Sequence, residues 1–455
     1  MTDAAEAFPQ VSVVVVSRND NHGGDMHGRM QHFVNGFFAQ CRRHKLSAEL
    51  IMVEWNPPSD RPSLSEALEW PSDMGPAYVR IVTVPREIHR LLKYSDSLPL
   101  FQMIGKNVGV RRARGRYILA TNIDILMNDA LICYMRDKLI PNTMVRVDRF
   151  DVPADIPHDS DFNKVIEFCD KSFFRIATAH GIFEPTSCTF KGQEESPIWR
   201  RAAQKYAQRL WPDRPSQRAR LDICQSIKLL AKRFERAAKK TPWFLSKLWP
   251  AQRVPIRGYW FARQIAGNLA RVTIDSFHFK VWHMLPRLAA ATNQGHKLTR
   301  FAPGGVLAHL HTNACGDFTL LTQEDWKRLR GYPEWPMYSW HIDSVFMCLA
   351  AKSGIQQIVL PPLYRTYHIE HDAGSGWTPE EESKLFNRLR VQGVPYLSFE
   401  ELKLWGQRCT QGKGPSIIND GNWGLGDLDL SENIIRSVTK DVGVASPDSF
   451  NLAQP

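Results

Sequence analysis

The strongest constraint on the fold is a repeated alternation of short apolar runs with helical periodicity in the first 124 residues. Four runs have the β-branched, apolar character of buried strands: VSVVVVS (11–17), AELIMVEW (48–55), YVRIVTVP (78–85) and RYILATNID (116–124). A helix is predicted after the first run by apolar residues at three- and four-residue spacing: Met26, Met30, Phe33, Val34, Phe37, Phe38 and Cys41. Another is expected around 100–112. Strands that alternate with helices predict an α/β fold with a mostly parallel central sheet.

Polar residues follow three of these runs, at 17–20, 54–56 and 122–124. Ligands of parallel α/β sheets bind at the carboxyl ends of the strands, so these segments are candidate binding loops. Asn122 and Asp124 are two residues apart, and on an extended chain their side chains face the same way. They predict a shared polar spot at a strand end, with a simple turn after the strand as the alternative.

The remaining elements are less regular. MVRVDRFD (144–151) alternates like a half-exposed strand, and a helix is expected over 161–174. Residues 304–333 read as two strands and a helix that begins near Thr322, with His309 and His311 alternating on the first strand. A helix over 341–354 ending at Gly354 and a strand over 355–362 follow. The C-terminal tail is expected to hold one helix, near 378–390, and then loose polar sequence.

The net charge of +11 is concentrated in one segment. Residues 191–300 contain 23 Lys/Arg and 6 Asp/Glu, whereas the rest of the chain contains 35 and 41. A basic amphipathic helix is predicted over 218–240, followed by aromatic residues up to 263. This pattern fits either a segment attracted to an anionic membrane surface or a helical subdomain that packs on the core. Nucleic acid is not expected as a partner, because no recognised binding module is present.

The eight cysteines are scattered and include no Cys-x-x-Cys pair, which indicates a reducing compartment. The N-terminal sequence lacks the pattern of a signal peptide, and no apolar run approaches the ~20 residues of a membrane-spanning helix. We therefore expect a cytoplasmic protein, either soluble or peripheral on the inner face of a membrane.

Several segments resemble glycosyltransferases of the GT-A fold. GKNVGVRRARGRYILATNID (105–124) is similar to the donor-binding half of family 2-type enzymes, in which a strand runs into an Asp-x-Asp motif. VSVVVVSRND resembles the first strand and nucleotide loop, and AELIMVEWNPP occupies the place of the second strand. GDFTLLTQEDWKRLRGYPEWPMYSWHIDSVF (316–346) is similar to the acceptor-side segment of family 7-type galactosyltransferases. The resemblance covers about 1–150 and 304–372.

The resemblance implies a metal-dependent transfer of sugar from a nucleotide-sugar donor, in particular a UDP-sugar, for polysaccharide biosynthesis. The implied donor-binding residues are Ser17, Arg18, Asn19, Asp20, Glu54, Asn107 and Asn122. Mn2+ or Mg2+ would be held by Asp124 with His368 or His371, and imidazole suits Mn2+ better. Their spacing does not decide between the two histidines. Lys106 and Arg149 are possible phosphate contacts, although lone basic residues are usually solvated.

On the acceptor side, the resemblance implies Asp343 as the general base of an inverting reaction on a glycan or lipid-linked acceptor. Asp317, Trp335 and Trp340 are the acceptor-binding candidates, since aromatic faces suit sugar rings. The chain departs from the family at Asn122, where the first Asp of Asp-x-Asp is expected, and at His341, where the acidic pair has Glu.

The expected organisation begins with a nucleotide-sugar-binding half (1–152) and a connecting helical region (153–190). A basic aromatic insert (191–303), an acceptor half (304–378) and a C-terminal tail (379–455) follow. Two alternatives stay open. One is a non-catalytic GT-A-like protein that binds a membrane or a partner. The other is a nucleotidyltransferase on a related sheet, although its usual Gly-rich, Lys-containing loop is missing after VSVVVVSRND.

Overall fold

The computed structural model describes residues 8–158, 161–179, 181–185, 189–191, 310–371 and 382–437. All of them belong to one compact unit. The predicted basic helix over 218–240, the aromatic residues that follow it and His309 lie outside the described residues, so what we expect of them remains a prediction.

The centre of the larger sheet is parallel and consists of the four strands that the sequence predicts: β1 (Val11–Ser17), β2 (Ala48–Trp55), β3 (Ala77–Val84) and β4 (Tyr117–Thr121). They lie in the order β3–β2–β1–β4, with Ser17 opposite Glu54 at the carboxyl ends of β1 and β2. The strands are almost entirely buried, as expected for a sheet covered on both faces. The predicted α/β fold with a largely parallel central sheet is confirmed.

Helices connect these strands: α1 (Met26–His44), α2 (Leu64–Ala67), α3 (Arg86–Arg90) and α4 (Gln102–Arg112). The apolar face predicted for α1 is buried. Helix α4 lies very close to β1, because Gly105 and Gly109 present no side chain there. A Cβ atom at Gly105 would lie 2.7 Å from Val16 Cγ1, and one at Gly109 would lie 2.5 Å from Val14 Cγ1. This explains the two glycines of GKNVG.

The outer strands make the sheet mixed: β6 (Thr143–Arg146), β11 (Phe318–Thr322), β12 (Gln356–Val359) and β14 (Glu432–Ile435). Strand β11 runs antiparallel to both β4 and β6, and β12 is parallel to β6. Strand β14 pairs antiparallel with β3 at the opposite edge. The expectation of loose sequence at the end of the tail is therefore wrong for β14.

A second sheet has six strands among the described residues, in the order β10–β9–β8–β7–β13–β5. They are β5 (Ile125–Met127), β7 (Arg149–Val152), β8 (Arg175–Thr178), β9 (Gly181–Glu184), β10 (Thr189–Lys191) and β13 (Thr366–Ile369). The predicted single strand over 144–151 is wrong, because β6 belongs to the first sheet and β7 to the second. A regular alternation of side chains does not reveal this change of sheet.

The guanidinium of Arg146, at the end of β6, is fully buried and donates to the carbonyl oxygens of His311, Asn313 and Cys315. Residues 311–316 therefore form a loop around it, and the strand expected there is absent from the described part of that segment. The predicted position of His311 on a strand is a further error of the sequence interpretation.

The remaining described helices are α5 (Asp129–Asp137), α6 (Phe162–Ser172), α7 (Gln323–Leu329), α8 (Ile342–Lys352), α9 (Glu382–Val391) and α10 (Phe399–Thr410). Helix α7 begins where predicted, because the Thr322 hydroxyl accepts from the backbone N–H of Asp325. Helix α10 was not predicted. None of the helices in the described ranges is long and apolar enough to cross a membrane.

The last described strand, β14, is joined to the sheet by an ion pair with the buried Arg80. Arg80 on β3 lies 2.8 Å from the Glu49 carboxylate of β2 and 2.6 Å from Glu432 of β14. Glu49 is fully buried and also accepts from the hydroxyl of Ser12 and the backbone N–H of Arg114. Arg80 therefore balances a charge that has no access to water.

We expect Arg80→Met to lower the free energy of unfolding by about 3–5 kcal/mol, because it leaves Glu49 as an uncompensated buried charge. Chemical denaturation of both proteins measures the difference. Arg114→Met is the control, since this arginine is 39% exposed and only 4.0 Å from Glu432, and it should cost less than about 1 kcal/mol. Equal losses in the two variants would contradict the assignment.

Candidate active site

The pairing of β13 brings three side chains of the candidate site together. This strand lies between β5 and β7, with His368 opposite Ile125 on one side and Asp151 on the other. Asp124 immediately precedes β5. As a result, His368 Nε2 lies 3.9 Å from Asp124 Oδ2, and His368 Nδ1 lies 3.3 Å from Asp151 Oδ1.

His371 joins this cluster from beyond the end of β13. Its Nε2 atom lies 3.5 Å from Asp124 Oδ2. One potential ligand atom from each of Asp124, His368 and His371 lies within 4.8 Å of the others. Asp124 Oδ1 is buried and accepts no hydrogen bond from the residues that the structure describes. Around an ion with bonds of about 2.1 Å, ligand atoms lie about 3–4.2 Å apart, so the three side chains fit one divalent cation.

Two imidazoles and a carboxylate suit Mn2+ better than Mg2+, which prefers oxygen ligands. The sequence leaves open whether His368 or His371 completes the site, and the structure brings both to Asp124. The Nδ1 atom of His368 faces Asp151, and a carboxylate in that position typically orients a metal-binding histidine.

The charge of Asp151 is balanced by two arginines. Arg149 Nε lies 2.8 Å from Asp151 Oδ1, and Arg175 Nη1 lies 3.1 Å from Asp151 Oδ2. Burial acts to raise the pKa of Asp151, but Arg149, His368 and Arg175 outweigh it and hold this pKa far below its usual range. Asp151, His368 and Glu370 also lie close enough to hold a metal, but Arg175 lies 3.5 Å from Glu370. We therefore interpret this second group as an ion-pair network.

Arg29 contacts the other face of the cluster. It lies on α1, and its Nη1 atom is 3.1 Å from Asp124 Oδ2. Its Nη2 atom donates to the carbonyl oxygens of His22 and Gly24, so it attaches the loop before α1 to Asp124. Burial acts to raise the pKa of Asp124, but the two histidines and Arg29 outweigh it and the pKa is lowered. Asp124 is therefore a carboxylate at neutral pH.

Asn122 has different partners from Asp124. Strand β4 ends at Thr121, so the predicted strand over 116–124 is too long and both residues lie in the turn before β5. Asn122 Oδ1 accepts from Gln102 Nε2 at 2.9 Å, and its Nδ2 donates to Asp317 Oδ1 at 2.6 Å. Asp317 is nearly buried, and its other oxygen lies 2.8 Å from Arg149 Nη1. Both carboxylate oxygens of Asp317, an acceptor-binding candidate, are thus engaged within the protein.

Asp343 lies in the first turn of α8, and its Oδ1 accepts from the backbone N–H of Ser344. A Cβ atom at Gly316 would lie 3.1 Å from Asp343 Oδ2, so the glycine lets this carboxylate approach the chain next to Asp317. His341 precedes α8, and burial lowers its pKa. Asp343 therefore lies beside Gly316, and the next residue, Asp317, contacts Asn122.

Lys106 is buried beneath this part of the site. It extends from α4 and donates to the carbonyl oxygen of Gly316 at 2.6 Å. Burial lowers its pKa to about 8, and the charges of Asp317, Asp343 and Asp124 act in the opposite direction. Contrary to the expectation from sequence, neither Lys106 nor Arg149 is a solvated basic residue.

The predicted donor residues lie mostly at the carboxyl ends of β1 and β2. Arg18 pairs with Asp20 at 3.1 Å, and Asn19 donates to the carbonyl oxygen of Pro62. Ser17 is buried beside Met30, with its hydroxyl 3.2 Å from the sulfur atom. Their roles toward a donor remain predictions.

Glu54 accepts from the backbone N–H of Leu64 at 2.7 Å, and burial raises its pKa. Asn107, by contrast, is fully buried in α4. Its amide exchanges hydrogen bonds with the backbone of Tyr332 and donates to Glu334. The donor-binding role of Asn107 is corrected to a structural one, because these bonds occupy its oxygen and both N–H groups.

The predicted acceptor-side tryptophans are half-buried against the C-terminal helices. The ring centroid of Trp335 lies 5.7 Å from that of Trp405 on α10, and that of Trp340 lies 5.4 Å from that of Phe386 on α9. Their contact with a sugar acceptor remains a prediction.

The sequence interpretation did not identify Arg29, Asp151 or Arg175. Arg29 follows Met26 by three residues and precedes Phe33 by four, so it lies on the apolar face of α1. A charged residue in such a stripe is a usable signal of a buried partner. Asp151 gives no comparable signal, because its contact with His368 depends on the pairing of distant strands.

Two solved structures are similar to the chain. One is the mannosyltransferase PcManGT from Pyrobaculum calidifontis in complex with GDP-Man and Mn2+, with 10% identity and a TM-score of 0.33 over 89% of this chain and 70% of that one. The other is GalNAc-T7 with UDP, GalNAc and Mn2+, with the same identity and TM-score over 89% of this chain and 56% of that one. No protein-family model and no curated protein sequence matches the chain.

The first of these is a mannosyltransferase and the second was solved with UDP, GalNAc and Mn2+. The fold of this chain is established by its own sheets and helices. At this identity and TM-score no residue role can be transferred from them. The roles of individual side chains therefore rest on the geometry of the site.

We expect the pH dependence of stability to reveal the buried charge of Lys106. Because its pKa is lowered from 10.5 to about 8, the folded protein binds fewer protons than the unfolded chain between these values, and wild-type stability rises with pH there. From pH 7 to 9.5 the stability of the wild type relative to Lys106→Met should increase by about 2 kcal/mol.

Urea denaturation across this range measures the difference. The exposed Lys327 of α7 provides the matched control Lys327→Met, whose difference from the wild type should stay constant. A constant difference for Lys106→Met as well would show that the lysine is not desolvated.

Proposed function

We propose that this chain is a glycosyltransferase that uses a nucleotide-sugar donor, in particular a UDP-sugar, and a divalent cation. The observation that carries the proposal is the convergence of Asp124, His368 and His371 next to the carboxyl ends of a parallel sheet, with a buried carboxylate oxygen that lacks a partner among the described residues. Ligands of such sheets bind at this edge.

In this proposal Asp124, His368 and His371 hold Mn2+, with Asp151 orienting His368. When bound, the cation stabilises the negative charge that develops on the diphosphate leaving group. Ser17, Arg18, Asn19, Asp20 and Glu54 lie at the ends of β1 and β2, where they can bind the nucleoside. Arg29 fixes the loop before α1 beside the same carboxylate.

Asp343 is proposed as the general base. The acceptor hydroxyl oxygen forms a bond to the anomeric carbon, the bond from that carbon to the diphosphate oxygen breaks, and the hydroxyl proton moves to Asp343. A single displacement of this kind inverts the anomeric configuration. The position of Asp343 beside Gly316 supports the role, since Asp317 follows directly and contacts Asn122 of the donor side.

A glycan or lipid-linked acceptor and a role in polysaccharide biosynthesis are parts of the same proposal. Trp335 and Trp340 would offer ring faces to a sugar. Attachment to an anionic membrane surface through residues 218–263, on the cytoplasmic side, stays a prediction about residues outside the described ranges.

We expect Asp124→Asn to lower the Mn2+-dependent release of nucleoside diphosphate from the donor at least about tenfold at limiting Mn2+. The substitution removes the only carboxylate of the proposed ligand set and weakens cation binding at least about tenfold. Release of UDP or GDP from a panel of nucleotide sugars, with and without Mn2+, measures it. Asp129→Asn is the control, since Asp129 pairs with Arg43 and His44 instead. A wild-type protein that neither binds nor turns over any nucleotide sugar with Mn2+ contradicts the proposed function.

We expect Asp343→Asn to lower kcat by about 10²–10⁴-fold and to leave the affinity for Mn2+ and UDP within about threefold of the wild type. An amide keeps the size of the side chain but cannot take the proton. Single-turnover transfer and calorimetric titration with Mn2+ and UDP separate the two effects. A variant that keeps full activity would exclude Asp343 as the base.

A further inference from the structure

Asn122 stands where the resembled family has the first carboxylate of Asp-x-Asp, and the structure places the carboxylate of Asp317, the residue before β11, against it. Phe318 of β11 is paired with Thr121 of β4. The preceding residue, Asp317, consequently reaches Asn122, and its backbone carbonyl accepts from the Thr121 hydroxyl at 2.6 Å. The antiparallel register of β4 and β11 therefore fixes the contact.

The hydrogen bonds around Asn122 require an amide at this position. Its oxygen accepts from Gln102 while its nitrogen donates to Asp317. An aspartate at 122 could accept from Gln102, but it would place a second carboxylate about 2.6 Å from Asp317 Oδ1. Like charges at that distance repel strongly when they are shielded from water.

Asp317 is connected with the cation-binding cluster through charge. Arg149 bridges Asp317 and Asp151, each at 2.8 Å, and Asp151 faces His368. A sequence of contacts thus runs from Asn122 through Asp317, Arg149, Asp151 and His368 to Asp124, which lies two residues after Asn122. The carboxylate of Asp317 is 8% exposed and held at both oxygens, so it is a fixed negative charge.

We propose that Asp317 supplies the second carboxylate charge of the donor and cation site, and that Asn122 positions it. The carboxylate expected at position 122, in the turn after β4, is in this way supplied by Asp317, the residue before β11. This inference rests on the proposed function, and the ligand is a divalent cation bound to a nucleoside diphosphate. Both oxygens of Asp317 contact protein groups, Asn122 and Arg149, so Asp317 acts on the cation through its charge and through Arg149. It is therefore a positioning residue and not a ligand.

The test is an exchange of the two side chains. Asn122→Asp should weaken the binding of Mn2+ with UDP at least about tenfold, because two carboxylates face each other. Asp317→Asn should weaken it to a similar extent, because the charge is lost and Arg149 loses a partner. The double variant Asn122→Asp/Asp317→Asn restores one acid and one amide, and we expect its affinity to return to within about threefold of the wild type.

Electron paramagnetic resonance of Mn2+, with and without UDP, measures the affinity in the full chain, and the midpoint of thermal unfolding reports folding. Asp129→Asn is the matched control, because it also removes a carboxylate that pairs with an arginine, at 2.7 Å from Arg43. It should leave Mn2+ binding unchanged.

The outcomes separate the two proposals. If the wild type binds Mn2+ with UDP and the double variant binds no better than the weaker single variant, this inference is overturned and the proposed function stands. Wild-type affinity in Asp317→Asn would also overturn it. If the double variant recovers the midpoint of thermal unfolding but not the affinity for Mn2+, the contact between Asn122 and Asp317 serves folding alone, and the inference is overturned. If the wild type binds neither Mn2+ nor UDP, the proposed function fails and the inference fails with it.

Discussion

The register of β13 is the constraint on which the candidate site depends. Only when His368 is paired between β5 and β7 does its ring lie between Asp124 and Asp151. A shift by one residue would turn the histidine to the opposite face of the sheet and leave Asp151 with arginines alone. The ion pair of Asp151 with Arg175 joins β7 to β8, and Arg149 holds the same carboxylate from within β7, so the carboxylate that faces the histidine is fixed in place.

The same part of the protein balances its charges before any ligand arrives. This largely buried region holds four cationic side chains, those of Arg29, Lys106, Arg149 and Arg175. They lie near the carboxylates of Asp124, Asp151 and Asp317. Buried charges are tolerated only when they are paired. A cation that binds Asp124 would compete with Arg29 for Oδ2, whereas Oδ1 faces no hydrogen-bond donor among the described side chains.

The sequence predicted the parts of this protein in which local pattern and tertiary structure agree. The four central strands and the apolar face of α1 follow from periodicity, and the resemblance singled out Asp124, His368 and His371, whose side chains the structure brings close together. The change of sheet between Arg146 and Arg149 did not, because alternation looks the same in either sheet. Asn107 was misread because its partners, Tyr332 and Glu334, are more than 220 residues away. Burial of a polar side chain is decided by such distant partners.

Strand β14 gives the end of the described chain a consequence for how the protein can be shortened. It covers the edge of β3 and carries the carboxylate of Glu432, while nearby carbonyl groups of residues 421–428 accept from Arg111 and Arg112 on α4. A chain cut before this segment would present an unpaired strand edge, and exposed edges of this kind recruit other chains. Such a truncation would yield a protein prone to self-association. Strand β14 is therefore an integral part of the fold, and a shortened protein has to keep it through Ile435.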